Sequence, residues 1–111
     1  MSDSISKAVQ YLSERDIGFH VTHPNPGGLA TIAISPAEVV QYAADPVAYL
    51  ARHYKVSRED YLGWHQSEYK VQCSAITSKG VRCKATAAGL SAVYSPQEWV
   101  NGQGSCCPIH C

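Results

Sequence analysis

Five cysteines and one histidine near the end of the chain are the residues best suited to chemistry. All five cysteines lie between residues 73 and 111, and the histidine stands among the last of them. Thiolate and imidazole groups are the ligands that Zn²⁺ prefers, usually four in a tetrahedral site. A hairpin can supply two of these ligands and a C-terminal turn the other two, so the spacing predicts a zinc site. The predicted ligands are Cys73, Cys83, Cys107 and His110.

Two further cysteines leave alternatives open. Cys106 and Cys111 flank the predicted C-terminal ligands, and either of them could replace a ligand. They could also remain free thiols or form an intermolecular disulfide, since an odd number of cysteines cannot be closed by intramolecular disulfides alone. A disulfide pair with spare thiols is the alternative to a metal site.

A structural metal is favoured over a catalytic one. A catalytic metal needs an open coordination position and a nearby general base. The single acidic residue after Cys73 is Glu98, and helix capping already explains it. A short tail with a small core gains stability from a metal. A small metal-dependent hydrolase is therefore a weaker hypothesis than a non-catalytic binding protein or a nucleic-acid-binding regulator.

The C-terminal pattern resembles a small zinc-binding module found in proteins of bacteria, phages and large viruses. The residues that carry the resemblance are Cys73, the turn Thr77-Ser78-Lys79-Gly80, Cys83, a glycine-containing loop, and Cys107-Pro108-Ile109-His110 near the chain end. The resemblance covers about residues 69–111 and implies a metal site more than an activity. It also suggests a phage-type inhibitor of a host defence complex, similar to an anti-CRISPR protein.

The elements that must position these residues are predicted from apolar periodicity, capping residues and turn signals. The pattern indicates an α+β fold: a small domain of a helix, a β-hairpin and short helices at 1–66, then a zinc-stapled β-hairpin module at 67–111. The first hairpin, at 19–34, is expected to pack on the first helix. The predicted helices cover 4–15, 36–43, 46–54, 58–64 and 96–100. The predicted strands of the tail cover 69–73, 81–84 and 92–94.

Composition limits the class of protein. The 111 residues contain nine basic and nine acidic side chains, which argues against a protein that coats nucleic acid by bulk charge. The apolar share of 45% indicates a globular chain. No apolar run approaches the roughly 18 residues of a membrane helix, and the polar start after Met1 is unlike a signal peptide. We therefore expect a cytoplasmic protein that does not enter a membrane.

The leading functional hypothesis is a non-catalytic, zinc-stabilised protein that docks on a protein or ribonucleoprotein complex. Seven tyrosines and two tryptophans suit an interface. The cations Lys79, Arg82 and Lys84 on one hairpin are the candidate partner-binding residues. The alternative is a DNA- or RNA-binding regulator, using either this basic hairpin or the helix-turn-helix-like segment 46–65. Against that segment, Glu59 and Asp60 stand where phosphates would approach.

Two histidines upstream are a second candidate site. His20 and His23 flank a strand and turn near Asp16, as a second metal or acid–base site could. Strand alternation directs Phe19 and Val21 to the core, so we expect His20 to be a surface imidazole. His65 is a reserve ligand for the zinc site.

Overall fold

The computed structural model describes residues 2–111, and five helices are found over this range. Four of them begin at a residue whose side chain caps the helix. The side chains of Ser35, Asp45, Ser57 and Ser95 each accept a hydrogen bond from the backbone N–H three residues later. These predicted helix starts are confirmed. The helices are α1 (Ser2–Ser13), α2 (Pro36–Ala44), α3 (Pro46–His53), α4 (Arg58–Gln66) and α5 (Pro96–Asn101).

The predicted first hairpin is confirmed. Strands β1 (Phe19–Asn25) and β2 (Gly28–Ile34) pair antiparallel, with Thr22 opposite Thr31. The connection is tight, because Asn25 pairs with Gly28 and its Oδ1 accepts the N–H of Gly27 at 2.9 Å. Gly28 has φ +123°, a conformation that disfavours residues with a Cβ. Over residues 2–111 the helices and this hairpin make a mixed α+β fold, as predicted.

Two apolar clusters hold the chain together. The first joins the hairpin to α3 and α4, and its buried members are Val21, Tyr49, Leu50, Ala51, Tyr61 and Trp64. The second lies in the tail and consists of Val71, Ala87 and Val93. Trp99 on α5 packs against both clusters. The tail is therefore attached to the helical part through shared aromatic packing.

The position of α1 differs from the expectation. This helix packs against α2, whereas the hairpin packs into the cluster around Trp64. The alternation of β1 explains the difference, because Val21 and His23 are the buried residues of the strand and they face the large aromatic side chains of α3 and α4. The chain is elongated, with extents of 62 × 24 × 17 Å.

The tail is less regular than predicted. Its antiparallel pairing is reduced to two isolated bridges, Gln72 with Thr86 and Ile76 with Arg82, and residues 92–94 form no strand. The successive residues Glu68 and Tyr69 have φ values of 58° and 67°, so the chain bends sharply at the start of the tail. No helix in the described part of the chain is long and apolar enough to span a bilayer.

Candidate metal centre

The irregular hairpin of the tail places the first two cysteines. The N–H of Cys73 donates to the carbonyl of Ala85, and the N–H of Cys83 donates to the carbonyl of Ala75, both at 2.8 Å. Arg82 adds support, because its Nε donates to the carbonyl of Cys73 at 2.9 Å. Cys73 and Cys83 therefore lie on neighbouring segments of one hairpin, as the sequence predicts.

The end of the chain is docked onto this hairpin. The N–H of Ser74 donates to the carbonyl of Ser105 at 2.8 Å, and its Oγ donates to the carbonyl of Gly104 at 2.9 Å. A turn follows, in which the N–H of His110 donates to the carbonyl of Cys107 at 3.0 Å. These contacts bring the Cys107–His110 pair to the hairpin cysteines.

All four predicted ligands meet in one group. The donor atoms of Cys73, Cys83, Cys107 and His110 lie within 4.8 Å of one another. The Nδ1 atom of His110 is 3.2 Å from the Sγ of Cys107 and 3.6 Å from the Sγ of Cys73. Cys73 and Cys107 are fully buried, Cys83 is half-buried and His110 is exposed. Three sulfurs and one imidazole nitrogen so arranged could hold a metal ion.

Hydrogen bonds from backbone N–H groups help to lower the pKa of two of the thiols. Burial raises the pKa of Cys73, but hydrogen bonds from the N–H groups of Ala75 and Cys107 and from the His110 ring outweigh it and lower the pKa to about 6. The Ala75 nitrogen is 3.4 Å from the Cys73 sulfur. Burial likewise raises the pKa of Cys107, and the N–H groups of His110 and Ile109 bring it below its ordinary value. Both groups favour the thiolate, which is the form that binds metals.

The other two ligands respond to this negative charge. The N–H of Ala85 lowers the pKa of Cys83, but burial and the thiols of Cys73 and Cys107 leave it above its ordinary value. Hydrogen bonding to Cys73 and Cys107 raises the pKa of His110. Crowded thiolates thus retain protons on their neighbours, and a cation at the centre would replace those protons.

Cys106 and Cys111, named as alternate ligands, lie outside the group. They form a disulfide with each other, with a Cα–Cα distance of 5.4 Å. A sulfur in a disulfide is not available as a thiolate, so neither residue replaces a ligand in this structure. The odd number of cysteines therefore divides into one intramolecular disulfide and three free thiols, Cys73, Cys83 and Cys107.

The predicted partner-binding cations have unlike surroundings. Arg82 is committed to the hairpin, because its Nη2 also donates to the carbonyl of Gln72 at 3.0 Å. Lys79 is exposed in the turn at the end of the hairpin. Lys84 lines a cleft of about 260 Å³ together with Ser67, Lys70, Gln72 and Thr86. The sequence pattern does not predict that Lys70 and Thr86 lie beside Lys84.

Segment 46–65 forms two helices joined by a turn, and two contacts restrict the second helix. Arg58 pairs with Asp45, with nitrogen–oxygen distances of 2.9 and 3.0 Å. The backbone of Gly63 lies against the ring of Trp99. This packing does not favour insertion of α4 into a nucleic-acid groove.

The remaining histidines serve the core or face solvent. His20 is exposed, as expected, whereas His23 is buried, with Nε2 2.5 Å from the Tyr54 hydroxyl and Nδ1 2.9 Å from the Pro24 carbonyl. The pair therefore forms no common site. The reserve ligand His65 contacts the Tyr69 hydroxyl instead, at 3.0 Å from Nδ1. Because alternate residues of a strand lie on the same face, the burial predicted for Val21 also predicts burial of His23.

We compared the chain with protein-family models, with curated proteins and with solved structures, and no family, protein or structure matches it.

Proposed function

We propose that this chain is a non-catalytic binding protein whose tail is held in shape by zinc. The observation that carries the proposal is the convergence of Cys73, Cys83, Cys107 and His110, with all donor atoms within 4.8 Å of one another. Three thiolates and one imidazole suit Zn²⁺, whereas Mg²⁺ and Ca²⁺ prefer oxygen ligands.

The donor set supports a structural role for the metal. Four protein ligands complete a tetrahedron, whereas a catalytic zinc keeps a position for water or substrate. The metal-binding group contains no carboxylate to act as a general base. The metal would join the hairpin to the chain end next to a small cluster of Val71, Ala87 and Val93, where apolar burial is limited. These features favour the binding function over the hydrolase.

Exposed apolar side chains at the metal-binding end support docking on a partner. Ile76 and Val81 on the hairpin are 66% and 54% exposed, and Ile109, between two proposed ligands, is 87% exposed. Large apolar groups on a surface often contribute to interfaces. The metal would fix the backbone from which they project and so lower the entropy lost when a partner binds.

The resemblance to phage-encoded zinc proteins extends the proposal to a host defence complex as the partner. The corresponding test is inhibition of a purified CRISPR effector complex by the metal-loaded protein. If the protein neither inhibits the complex nor co-elutes with it, this choice of partner is rejected.

Metal analysis tests the proposal directly. Protein purified without chelator should contain about one zinc ion per chain by elemental analysis. Cys73→Ser and Cys107→Ser should each lose the metal, because the remaining donors are too few for a closed site. Cys106→Ser and Cys111→Ser are matched controls that remove a cysteine outside the group; each breaks the disulfide, which should weaken zinc binding but still leave about one zinc ion per chain. Less than about half an equivalent of zinc in the parent protein would contradict the proposal.

A further inference from the structure

We infer that the cleft between segments 67–72 and 84–86 binds a phosphate group, which would be the chemical feature recognised in the partner. The cleft has a volume of about 260 Å³ and is lined by polar and cationic residues. This volume is slightly below the roughly 300 Å³ at which pockets for whole small molecules begin. The cleft therefore fits one anionic group of a larger molecule better than a complete cofactor. The lining residues are Ser67, Lys70, Gln72, Lys84 and Thr86.

Alternation along the paired segments explains why the lining is polar. Gln72 is bridged to Thr86, and Lys70 and Lys84 each lie two residues before one of them. Residues two apart on an extended segment share a face. Val71, between Lys70 and Gln72, is buried, and so are Cys73 and Ala87, which follow Gln72 and Thr86, whereas Ala85 between Lys84 and Thr86 is exposed. The pairing thus presents two ammonium groups and the Thr86 hydroxyl together, beside a Gln72 side chain that is bound to the Cys83 carbonyl.

The backbone that carries these side chains is firmly held. The carbonyl of Lys70 accepts the indole N–H of Trp99 at 2.9 Å, and the side-chain Nε2 of Gln72 donates to the backbone carbonyl of Cys83 at 2.8 Å. The proposed ligand Cys73 directly follows Gln72 in sequence, and the proposed ligand Cys83 directly precedes Lys84. The cleft is thus built on the segments that the metal would fix, and in this respect the inference rests on the proposed function.

The charge in the cleft matches a phosphate group. Lys70 and Lys84 supply two positive charges, and a phosphate carries one or two negative charges near neutral pH. One carboxylate competes, because Glu68 Oε2 is 3.9 Å from Lys70 Nζ. The Glu68 side chain is 83% exposed, so an incoming phosphate can displace it at little cost. The phosphate could belong to a nucleic-acid backbone or be a free phosphate.

Anisotropy titrations and NMR spectroscopy separate these sources. The probes are a fluorescein-labelled single-stranded DNA oligonucleotide and inorganic phosphate, each added to protein whose zinc content has first been confirmed. Lys70→Gln and Lys84→Gln should each weaken oligonucleotide binding several-fold and reduce the salt dependence of log K by about 0.7. Glu68→Gln should strengthen binding. Lys7→Gln on α1 is the matched control, because it removes the same charge far from the cleft in sequence, and it should change neither quantity.

Each outcome decides the inference. Inorganic phosphate should shift the amide resonances of Gln72 and Thr86 in the parent but not in Lys84→Gln. Those shifts without oligonucleotide binding would support the cleft and identify free phosphate as the source. Equal effects of Lys7→Gln and Lys84→Gln, or no response to either probe, would overturn the inference even when one zinc per chain upholds the proposed function. Loss of zinc in the parent would instead contradict the proposed function itself.

Discussion

The indole N–H of Trp64 donates a hydrogen bond to the carbonyl of Val93 across 29 residues of sequence, at 2.7 Å. Trp64 belongs to the cluster around α3 and α4, and Val93 belongs to the cluster of the tail. The N–H of Val93 donates in turn to the carbonyl of Tyr69 at 2.8 Å. This contact joins the helical part to the tail that carries the candidate metal centre, so disorder in one should destabilise the other.

Replacing Trp64 by Phe should lower the free energy of unfolding by about 2 kcal/mol or more. Phenylalanine leaves a cavity at a fully buried position and removes the donor to Val93. Urea denaturation of the zinc-loaded protein, followed by far-UV circular dichroism, measures the change. The control Tyr94→Phe alters an exposed side chain and should stay within about 0.5 kcal/mol of the parent. Equal stability of Trp64→Phe and the parent would refute the coupling.

Replacing Gly63 by Ala should destabilise the protein although alanine is the better helix former. A Cβ at position 63 would lie 2.8 Å from Cη2 of Trp99. Trp99 cannot retreat freely, because its indole N–H is bound to the carbonyl of Lys70. Overpacking costs roughly 1–3 kcal/mol and the helix propensity returns about 1 kcal/mol, so the expected net loss is about 1 kcal/mol.

The control for this substitution is Gly18→Ala, because no atom lies within 4 Å of a Cβ built at that position. Its free energy of unfolding should match that of the parent within about 0.5 kcal/mol. If Gly63→Ala is instead more stable than the parent, Trp99 is not held as tightly as its contacts indicate.

Features set by local chemistry were predictable from the sequence. Ser35 caps α2 because a hydroxyl, a proline and a glutamate follow the helix-start pattern within four residues. The meeting of the four candidate ligands was predictable for a similar reason, since few residue types bind zinc and the turn at 107–110 brings two of them together. Neither inference requires knowledge of distant contacts.

Features set by long-range packing were not predictable in the same way. No local pattern indicates that Trp99 contacts both clusters, or that α1 packs on α2 rather than on the hairpin. The tail shows the limit of periodicity, because its alternating residues predict continuous strands. The pairing is interrupted there by tight turns and by the convergence of Cys73 and Cys83 with the chain end.

Replacing Tyr49 by Phe should produce a pH-dependent loss of stability. The Tyr49 hydroxyl donates to Glu38 Oε2, which raises the pKa of Tyr49 to about 12 and lowers that of Glu38. A tyrosine whose pKa is raised by folding contributes stability below its unfolded pKa of about 10, and that stability disappears as the pH rises towards 12. The difference between parent and variant should therefore be constant near neutral pH and shrink between pH 10 and 12.

Unfolding free energies of parent and variant across this pH range measure the effect. Tyr61 also has a pKa raised to about 12, mainly by burial, but it is present in both proteins and cancels in the difference. The ¹³C shift of the Glu38 carboxyl group gives a second readout, because its pKa should move towards its ordinary value in Tyr49→Phe. A difference in stability that does not change up to pH 12 would show that the hydroxyl makes no such bond.

Breaking the Cys106–Cys111 disulfide should weaken zinc binding without abolishing it. The disulfide spans five residues and encloses two of the proposed ligands, Cys107 and His110. Closing so short a loop restricts the metal-free chain by an amount worth about 2 kcal/mol. The double variant Cys106→Ser/Cys111→Ser should therefore bind zinc up to about thirtyfold more weakly. Competition with a chelator of known zinc affinity measures this, and the parent treated with a reductant should match the variant. Unchanged affinity in both would mean that the hydrogen bonds from Ser74 already hold the chain end in place.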